Sequence, residues 1–378
     1  MLPLLPPTED YNRPPDPDEI EVTIIGPGFG ETALVHIGDG QWIAIDSCTH
    51  GDDPAPAALR YFSDIGVDPA SVFLIVVSHW DDDHIRGMAD LATHCANARI
   101  AMSKAFIDKD FAAYVATHDA PLTQCVRAGV REIRRLLTVL KTTERTSILT
   151  ATADRRIYDP SSLPMSHGEP VEIWTLAPCD YETDNFLLWA AAQMPSEGET
   201  RRVATRRLRN DLSVAVHLSI GDDAILLGGD LEEEQDPLTG WSAVLASTGR
   251  PQARAGLFKV PHHGSHTGEH PGVWSDMLAP EPVALVAPFR NGNVSLPAAS
   301  DVTRISAYTP HAYASANLKA LAPPPLDRMV QKTVELVAKR FTTIKPAMGL
   351  VRARKKAGSG APWTVETFGE AAPLARVR

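Results

Sequence analysis

Cysteine is scarce in this chain. Cys48, Cys95, Cys125 and Cys179 are four among 378 residues, and no two stand at C-x-x-C spacing. That argues against a disulfide framework and against a structural zinc knuckle, and the four read as scattered, reduced thiols. Long apolar runs are also missing. Stretches such as Val72 to Val77 and Ala224 to Leu227 fall far short of the about 20 residues that a bilayer span requires. No basic segment followed by an apolar stretch opens the sequence, so no secretory signal is visible and the protein is read as cytoplasmic, with no membrane partner. Surplus positive charge is absent as well. With 36 Lys and Arg against 47 Asp and Glu, the formal net charge is −11. Broad electrostatic wrapping of nucleic acid is therefore excluded, although an enzyme that grips phosphate through bound cations is not.

What is present is an ordinary globular composition, 44% hydrophobic and 22% charged. Its length suits one large domain with an insertion, or two modest ones. Residues 1–19 carry Pro3, Pro6, Pro7, Pro14, Pro15 and Pro17 and read as an extended or disordered arm. From residue 20 onward short apolar strands recur: Glu21 to Ile25, Thr32 to Ile37, Trp42 to Asp46 and the β-branched run Val72 to Val77, which reads as buried on both faces. Pro56 to Phe62 reads as a helix with proline in its first turn.

About residues 100–170 the rhythm changes. Val126, Val130, Ile133, Leu137 and Leu140 form a helical stripe, with Arg127, Arg131, Arg134 and Arg135 beside it. This helical insertion presents either a solvated face, a cap over a site or an arm for a homodimer. Strands resume at Val171 to Leu176, Leu212 to Leu218, Ala224 to Leu227, Leu257 to Val260 and Val283 to Val286. Leu326, Val330, Val334 and Val337 mark a late helix, and Gly349 to Arg354 and Trp363 to Phe368 two last strands. The alternation gives an α/β fold, with one domain over residues 20–378.

Chemistry concentrates just after the buried strand at Val77. His79, Asp81, Asp83 and His84 fall within six residues. Four such groups at the end of a buried strand repel one another and are costly to desolvate. A helix N-cap accounts for one aspartate, not for two flanking histidines. A metal resolves the conflict, since carboxylates and neutral imidazoles are its ligands. A tight turn aims His79 and Asp81 at one point and Asp83 and His84 at a neighbouring one. Leu226-Leu227-Gly228-Gly229-Asp230 is an apolar strand ending in glycines and a carboxylate that can bridge two cations. Lys259-Val260-Pro261-His262-His263-Gly264-Ser265-His266 places three histidines in five residues after another strand.

These segments resemble the metallo-β-lactamase superfamily, and within it the nuclease-like domain of the competence protein ComEC and its soluble relatives. The matching pieces are Ser78-His79-x-Asp81-x-Asp83-His84-Ile85-x-Gly87, Asn210-Asp211-x-Ser213, Gly229-Asp230 and Lys259-x-Pro261-His262-His263-Gly264-Ser265. The opening Gly28-Phe29-Gly30-Glu31 with Asp46 resembles the family's start. The resemblance implies an αββα sandwich with two divalent metal ions, Zn2+ or Mn2+, at one edge. His79 and Asp81 would hold one ion and Asp83 and His84 the other. Asp230 would bridge them, and one of His262 and His263 would complete the second site. The superfamily's further histidine is replaced near Asn210 or Asp211. Two departures stand out: Leu296-Pro297 lies where the branch often has His-Pro, and no membrane spans accompany the domain, so a role in DNA uptake is not carried over.

The expected activity is hydrolysis by a metal-bound hydroxide. Asp83 could orient it, Asp46 could fix a ligand histidine, and His266 or the unliganded member of the histidine pair could protonate the leaving group. The first substrate class is a phosphodiester, in nucleic acid or a nucleotide. The basic run Arg201, Arg202, Arg206, Arg207 and Arg209 before Asn210 could grip phosphate oxygens. Ser265, Asn210, Asp211, Arg207 and Arg209 are further candidates to support ligands or touch substrate. The alternatives are hydrolysis of a carboxylic ester, thioester or lactam on the same centre, and a non-catalytic metal-binding scaffold.

Overall fold

Every second residue of the first strands faces a different apolar layer, and both faces are covered. Along β1 (Glu19–Ile25), β2 (Thr32–His36) and β3 (Trp42–Ile45) nearly every side chain is buried. The computed structural model describes residues 3–26, 30–50, 53–118, 128–145, 147–158, 165–192, 210–291, 294–317, 329, 333 and 348–377. One helical turn, α1 (Glu9–Asn12), precedes β1. After β3 come a small pair, β4 (Thr49–His50) and β5 (Asp53–Pro56), and helix α2 (Ala57–Asp64). Strand β6 (Val72–Val77) leads into α3 (Asp82–Ile85) and α4 (Met88–His94). Then follow β7 (Arg99–Ser103), α5 (Lys109–His118), α6 (Ala128–Thr142), β8 (Ile148–Ala151) and β9 (Arg155–Tyr158). The second half contains β10 (Val171–Thr175), α7 (Asp180–Ala192), β11 (Val216–Ile220), β12 (Asp223–Leu227), α8 (Gly240–Ala246), β13 (Ala255–Lys259) and β14 (Leu278–Val286). The paired β15 (Phe289–Asn291) and β16 (Val294–Leu296) follow, then α9 (Ala299–Tyr308), β17 (Ala312–Ala314), β18 (Gly349–Lys356), β19 (Thr364–Gly369) and β20 (Ala372–Pro373).

Two eight-stranded sheets result, in the orders β19-β18-β1-β2-β3-β6-β7-β8 and β20-β17-β14-β13-β12-β11-β10-β9. Three apolar clusters separate four layers. Val22, Ile24, Val35, Ile45 and Val76 meet Val216, Leu218, Ile225 and Leu285 between the sheets. Phe62, Met88, Leu91, Phe111 and Ile133 cover the outer face of the first sheet, and Trp241, Val244 and Ile305 that of the second. Helices outside and two sheets inside make the αββα sandwich. In each sheet the strands nearest the site run parallel: β3 with β6, and β12 with β13 and β14. Their carboxyl ends open on one edge, the place where α/β sheets commonly bind ligands.

The amino-terminal arm, read as extended or disordered, lies along the first sheet and is anchored at a few points. Leu4, Leu5 and Tyr11 are buried, and the Tyr11 hydroxyl donates to Asp64 Oδ2 at 2.6 Å. Buried Arg352 donates to the carbonyls of Tyr11 and Asp10, and buried Arg354 to that of Arg13. Prolines stiffen the arm, and two arginines on β18 supply donors to its free carbonyls.

The stripe on α6 holds at Val130, Ile133 and Leu140, which are buried, while Leu137 is only partly buried and its neighbour Leu136 fills the core instead; Arg131, Arg134 and Arg135 are exposed. The expected strand from Leu212 begins only at Val216, because residues 210–212 form a 3-10 turn and Ser213 turns toward Asp230. Val126, Arg127 and the late helix marked by Leu326, Val330, Val334 and Val337 lie outside the described residues. Among the described residues no helix is long and apolar enough to cross a membrane.

Candidate metal centre

Strand β6 ends at Val77, and the backbone turns at once around Asp46. This aspartate, which follows β3, has φ +60°. Its Oδ1 accepts the Ser78 N–H at 2.8 Å, and its Oδ2 accepts the Ser78 hydroxyl at 2.6 Å and His84 Nδ1 at 2.8 Å. With Nδ1 donating, His84 presents Nε2 as its free lone pair. His79 Nδ1 lies 3.0 Å from the Ser78 hydroxyl, so its Nε2 is also the inward atom. The His79 and His84 rings are 4.2 Å apart, both fully buried. From behind, α6 braces this segment: Glu132 accepts the Ala89 N–H at 3.0 Å, and a Cβ on Gly129 would sit 2.1 Å from the Trp80 carbonyl.

The second sheet supplies the remaining groups. After β12 the chain makes a tight turn at Gly228 and Gly229. Gly229 has φ +55°, and a Cβ there would stand 2.7 Å from Ser213 Oγ and 2.9 Å from the Val214 carbonyl, so only glycine fits. The turn delivers Asp230, whose N–H donates to Ser213 Oγ at 2.8 Å. After β13 the consecutive residues His262 and His263 both adopt positive φ, 47° and 53°. This strained pair aims the His262 N–H at Asp230 Oδ1, 3.1 Å away, and swings the His263 ring inward. His263 Nδ1 donates to the Ala287 carbonyl at 2.9 Å, and Phe289 stacks on the ring at 4.9 Å, leaving Nε2 to face the centre.

Four donor atoms now converge. His263 Nε2 is 3.0 Å from Asp83 Oδ2 and 3.6 Å from Asp230 Oδ2; His84 Nε2 is 3.3 Å from Asp230 Oδ2 and 3.9 Å from Asp83 Oδ2. Bonds of about 2.0–2.1 Å in a tetrahedral zinc site place donors about 3.3–3.4 Å apart, and His84, Asp230 and His263, with Glu31 beside them, bring donor atoms within 4.8 Å of one another. Among the described residues, buried His79 Nε2 and His84 Nε2 have no hydrogen-bond partner, a costly state that a cation relieves. The residues present therefore fit a divalent metal.

The electrostatics agree. Burial works to strip the proton from His84, yet Asp230 and Glu31 hold its pKa well above the usual imidazole value. Burial likewise opposes charge on His263, and Asp230, Asp83 and Glu31 overcome it, raising the ring to about 10. Burial alone would raise Asp230, but His84, His263 and Lys259 pull it well below the carboxylate range. Asp83 is lowered too, against burial, by His263 and His84. His79, dominated by burial, is held neutral. A pocket that draws protons onto imidazoles in this way is one that calls for positive charge.

Asp81 stands half-buried at the N-cap of α3 and makes no side-chain cap bond. His262 stays beside the centre rather than in it. Its Nδ1 is 2.9 Å from Thr267 Oγ1 and 3.4 Å from Glu232 Oε1, and Glu232 in turn accepts from Asn210 Nδ2 at 2.6 Å. Ser265 Oγ accepts the Thr267 N–H at 3.3 Å and serves the local turn. His266 does not join the site. It is exposed, whereas His263 is buried and His262 half-buried. Asp211 lines a cavity of ≈ 150 Å³ with Glu182, Glu232, Glu234 and Asp236. Arg207 and Arg209, like Gly28 and Phe29, lie outside the described residues.

Glu31 and Lys259 were not singled out as site residues from the sequence, yet both are buried at the centre. Lys259 Nζ contacts Glu31 Oε1 and lies 3.7 Å from Asp230 Oδ1. The available signal was their place in the quoted segments Gly28-Phe29-Gly30-Glu31 and Lys259-x-Pro261, a glutamate just before one buried strand and a lysine closing another.

Residues 25–107 match the family described as Metallo-beta-lactamase superfamily. That segment contains Glu31, Asp46, His79, Asp83 and His84. No curated protein matches the chain. Among solved structures, a Cronobacter sakazakii metallo-β-lactamase with a HARLDQ motif is 16% identical, covering 61% of this chain and 68% of its own, at a TM-score of 0.32. Rm3 metallo-β-lactamase is 16% identical over 66% of this chain and 74% of its own, at 0.30. CmlA β-hydroxylase is 14% identical over 57% of this chain and 31% of its own, also at 0.30.

Proposed function

We propose that this chain, which carries a metallo-β-lactamase superfamily segment over residues 25–107, is a metal-dependent hydrolase of phosphodiester bonds in nucleic acid or a nucleotide. The observation that carries the metal dependence is the convergence of His84 Nε2, His263 Nε2, Asp83 Oδ2 and Asp230 Oδ2 at ligand spacing. These four would hold one divalent ion. His79 and Asp81, with Asp230 shared, would hold a second, zinc or manganese in either place. When bound, the ions supply Lewis acidity and a lowered pKa for water.

The chain's own groups do the rest. Asp46 keeps the His84 Nδ1 proton in place and so keeps Nε2 a donor. Ser213 and the His262 N–H fix both ends of the Asp230 carboxylate turn. His262, held by Thr267 and Glu232, replaces His266 as the group that can give a proton to the leaving oxygen.

The phosphodiester reading draws support from the ordered motifs that resemble the soluble ComEC-like branch and from the arginine run before Asn210. One observation favours a second reading. The cavity beside Asn210 is walled by Glu182, Asp211, Glu232, Glu234 and Asp236, which suits a neutral or cationic acyl substrate better than a polyanion. A panel with zinc or manganese separates them. Turnover of bis-nitrophenyl phosphate without turnover of lactam or thioester probes upholds the first reading, and the converse upholds the second. Metal uptake with no turnover on any ester leaves a binding scaffold and sinks both.

A further inference from the structure

A lysine buried beside a cation site is an expense that needs a reason. Lys259 is 2% exposed and closes β13, two residues before Pro261 and the histidine pair. Its ammonium donates to the Gly229 carbonyl at 2.7 Å and stands 3.7 Å from Asp230 Oδ1. It thus anchors the turn that presents the shared carboxylate. An isolated ammonium there would also repel any dication on Asp230, and at such separations inside a protein the interaction is large.

Glu31 answers that charge. It is 4% exposed and its Oε1 pairs with Lys259 Nζ. Its backbone N–H donates to the Asp83 carbonyl at 2.8 Å, and Gly30 before it, at φ +94°, lets the strand pass close to Asp83. Glu31 could be mistaken for a ligand, because it brings an oxygen within 4.8 Å of donor atoms on His84, Asp230 and His263. Its approaches, however, are to the Nδ1 edges. Oε2 lies 3.4 Å from His263 Nδ1 and Oε1 lies 3.7 Å from His84 Nδ1. Those nitrogens are already spent on Ala287 and Asp46, while the Nε2 atoms face Asp83 and Asp230. Glu31 thus approaches both imidazoles from their Nδ1 side.

We propose that Glu31 is not a metal ligand but the built-in counter-charge of Lys259, the two forming a neutral pair behind the centre that lets an ammonium anchor the Asp230 turn without repelling the metal. Glu31 is then a positioning residue acting through Lys259. The inference rests on the metal-centre reading above. The turn itself keeps other supports when the lysine is lost. His262 N–H donates to the Gly229 carbonyl at 3.2 Å, Leu231 N–H to that of Gly228 at 3.1 Å, and Asp230 N–H to Ser213 Oγ.

The test is zinc affinity of the full chain, measured by competition with a fluorescent chelator, with thermal melting in excess EDTA as the folding control. Glu31→Gln leaves Lys259 uncompensated and should weaken zinc by about 10–100-fold, the usual worth of a group supporting the ligands. Adding Lys259→Met should return most of that loss, a coupling that neither a ligand role nor a merely structural one produces. A double variant as weak as Glu31→Gln alone, or a Glu31→Gln protein with undiminished affinity, overturns the proposal. Should Glu31→Gln not fold, Glu31→Leu with Lys259→Met carries the test, since a buried ion pair is often replaceable by apolar groups of similar volume. Zinc affinity near wild type then supports the pair, and lost affinity in a folded protein overturns it. Wild-type protein that takes up no zinc overturns the metal-centre reading itself, and this inference with it. Binding that is equal in wild type and in every variant overturns only the inference.

Discussion

His263 Nε2 stands 3.0 Å from Asp83 Oδ2, although 180 residues separate the two in the chain. One comes from the first sheet's loop and the other from the second's, so the centre exists only when the sandwich is closed. Asp83→Asn keeps the shape of this carboxyl and removes its charge. We expect metal content to fall and kcat/KM to drop by at least about 100-fold, since groups that merely support ligands are worth about 10–100-fold. Melting in chelator should fall as well, because in the metal-free protein this carboxylate pairs with buried His263. Full metal content in this variant, measured by elemental analysis, would remove Asp83 from the ligand set.

Asp46 is expected to act at one remove. Both of its oxygens are already engaged, by Ser78 and by His84, so it orients donors instead of being one. Its φ of +60° belongs to the left-handed region, where asparagine is as comfortable as aspartate. Asp46→Asn therefore leaves the backbone unstrained and offers one acceptor where two were used. Zinc affinity should fall by about 10–100-fold while the chelated protein stays folded. A variant with wild-type affinity would show that His84 holds its orientation without the carboxylate.

How much of this was legible beforehand follows from range. Asp83, His84, Asp230 and the histidine pair could be read because each stands where a buried strand gives way to glycine or charge, and burial makes such groups conspicuous. Which histidine of the pair turns inward could not be read. It depends on two successive left-handed residues, and no local pattern in His262-His263 announces them. Glu31 and Lys259 escaped for a different reason. Each is a single ordinary charge at a strand end, and only the approach of the start of β2 to the end of β13 makes them partners. The arm's anchorage was not legible either: proline content signals stiffness, and stiffness becomes docking only once Arg352 and Arg354 offer donors.

Cys95 provides a pH test remote from the centre. Burial is the main force on its thiol and pushes its pKa up to about 12, against about 8.5 for a free thiol. The folded protein therefore holds this proton more tightly than the unfolded chain does. The stability this provides is complete below the unfolded value and is lost as pH rises through about 9 toward 12. Cys95→Ala deletes that dependence. Its unfolding midpoint in urea should decline less steeply than that of wild type between pH 9 and 11. Parallel declines would mean that the thiol opens to solvent before it ionises. For the same reason a thiol-alkylating reagent at pH 8 should leave Cys95 unmodified in the native protein.

Gly129 lies near the start of α6, and two effects of Gly129→Ala oppose each other there. Alanine is the better helix former by about 1 kcal/mol, and on an open surface the exchange would stabilise. Here the new methyl would stand 2.1 Å from the carbonyl oxygen of Trp80, a backbone atom that cannot rotate aside. Relieving such overpacking costs about 1–3 kcal/mol, which exceeds the helical gain. The helix or the loop has to move, and the loop residue concerned sits between His79 and Asp81. Gly129→Ala should therefore lower the melting temperature in chelator and weaken zinc binding together. A Gly129→Ala protein that melts higher and binds zinc as tightly as wild type would show that α6 is a passive cover and not a brace for the metal loop.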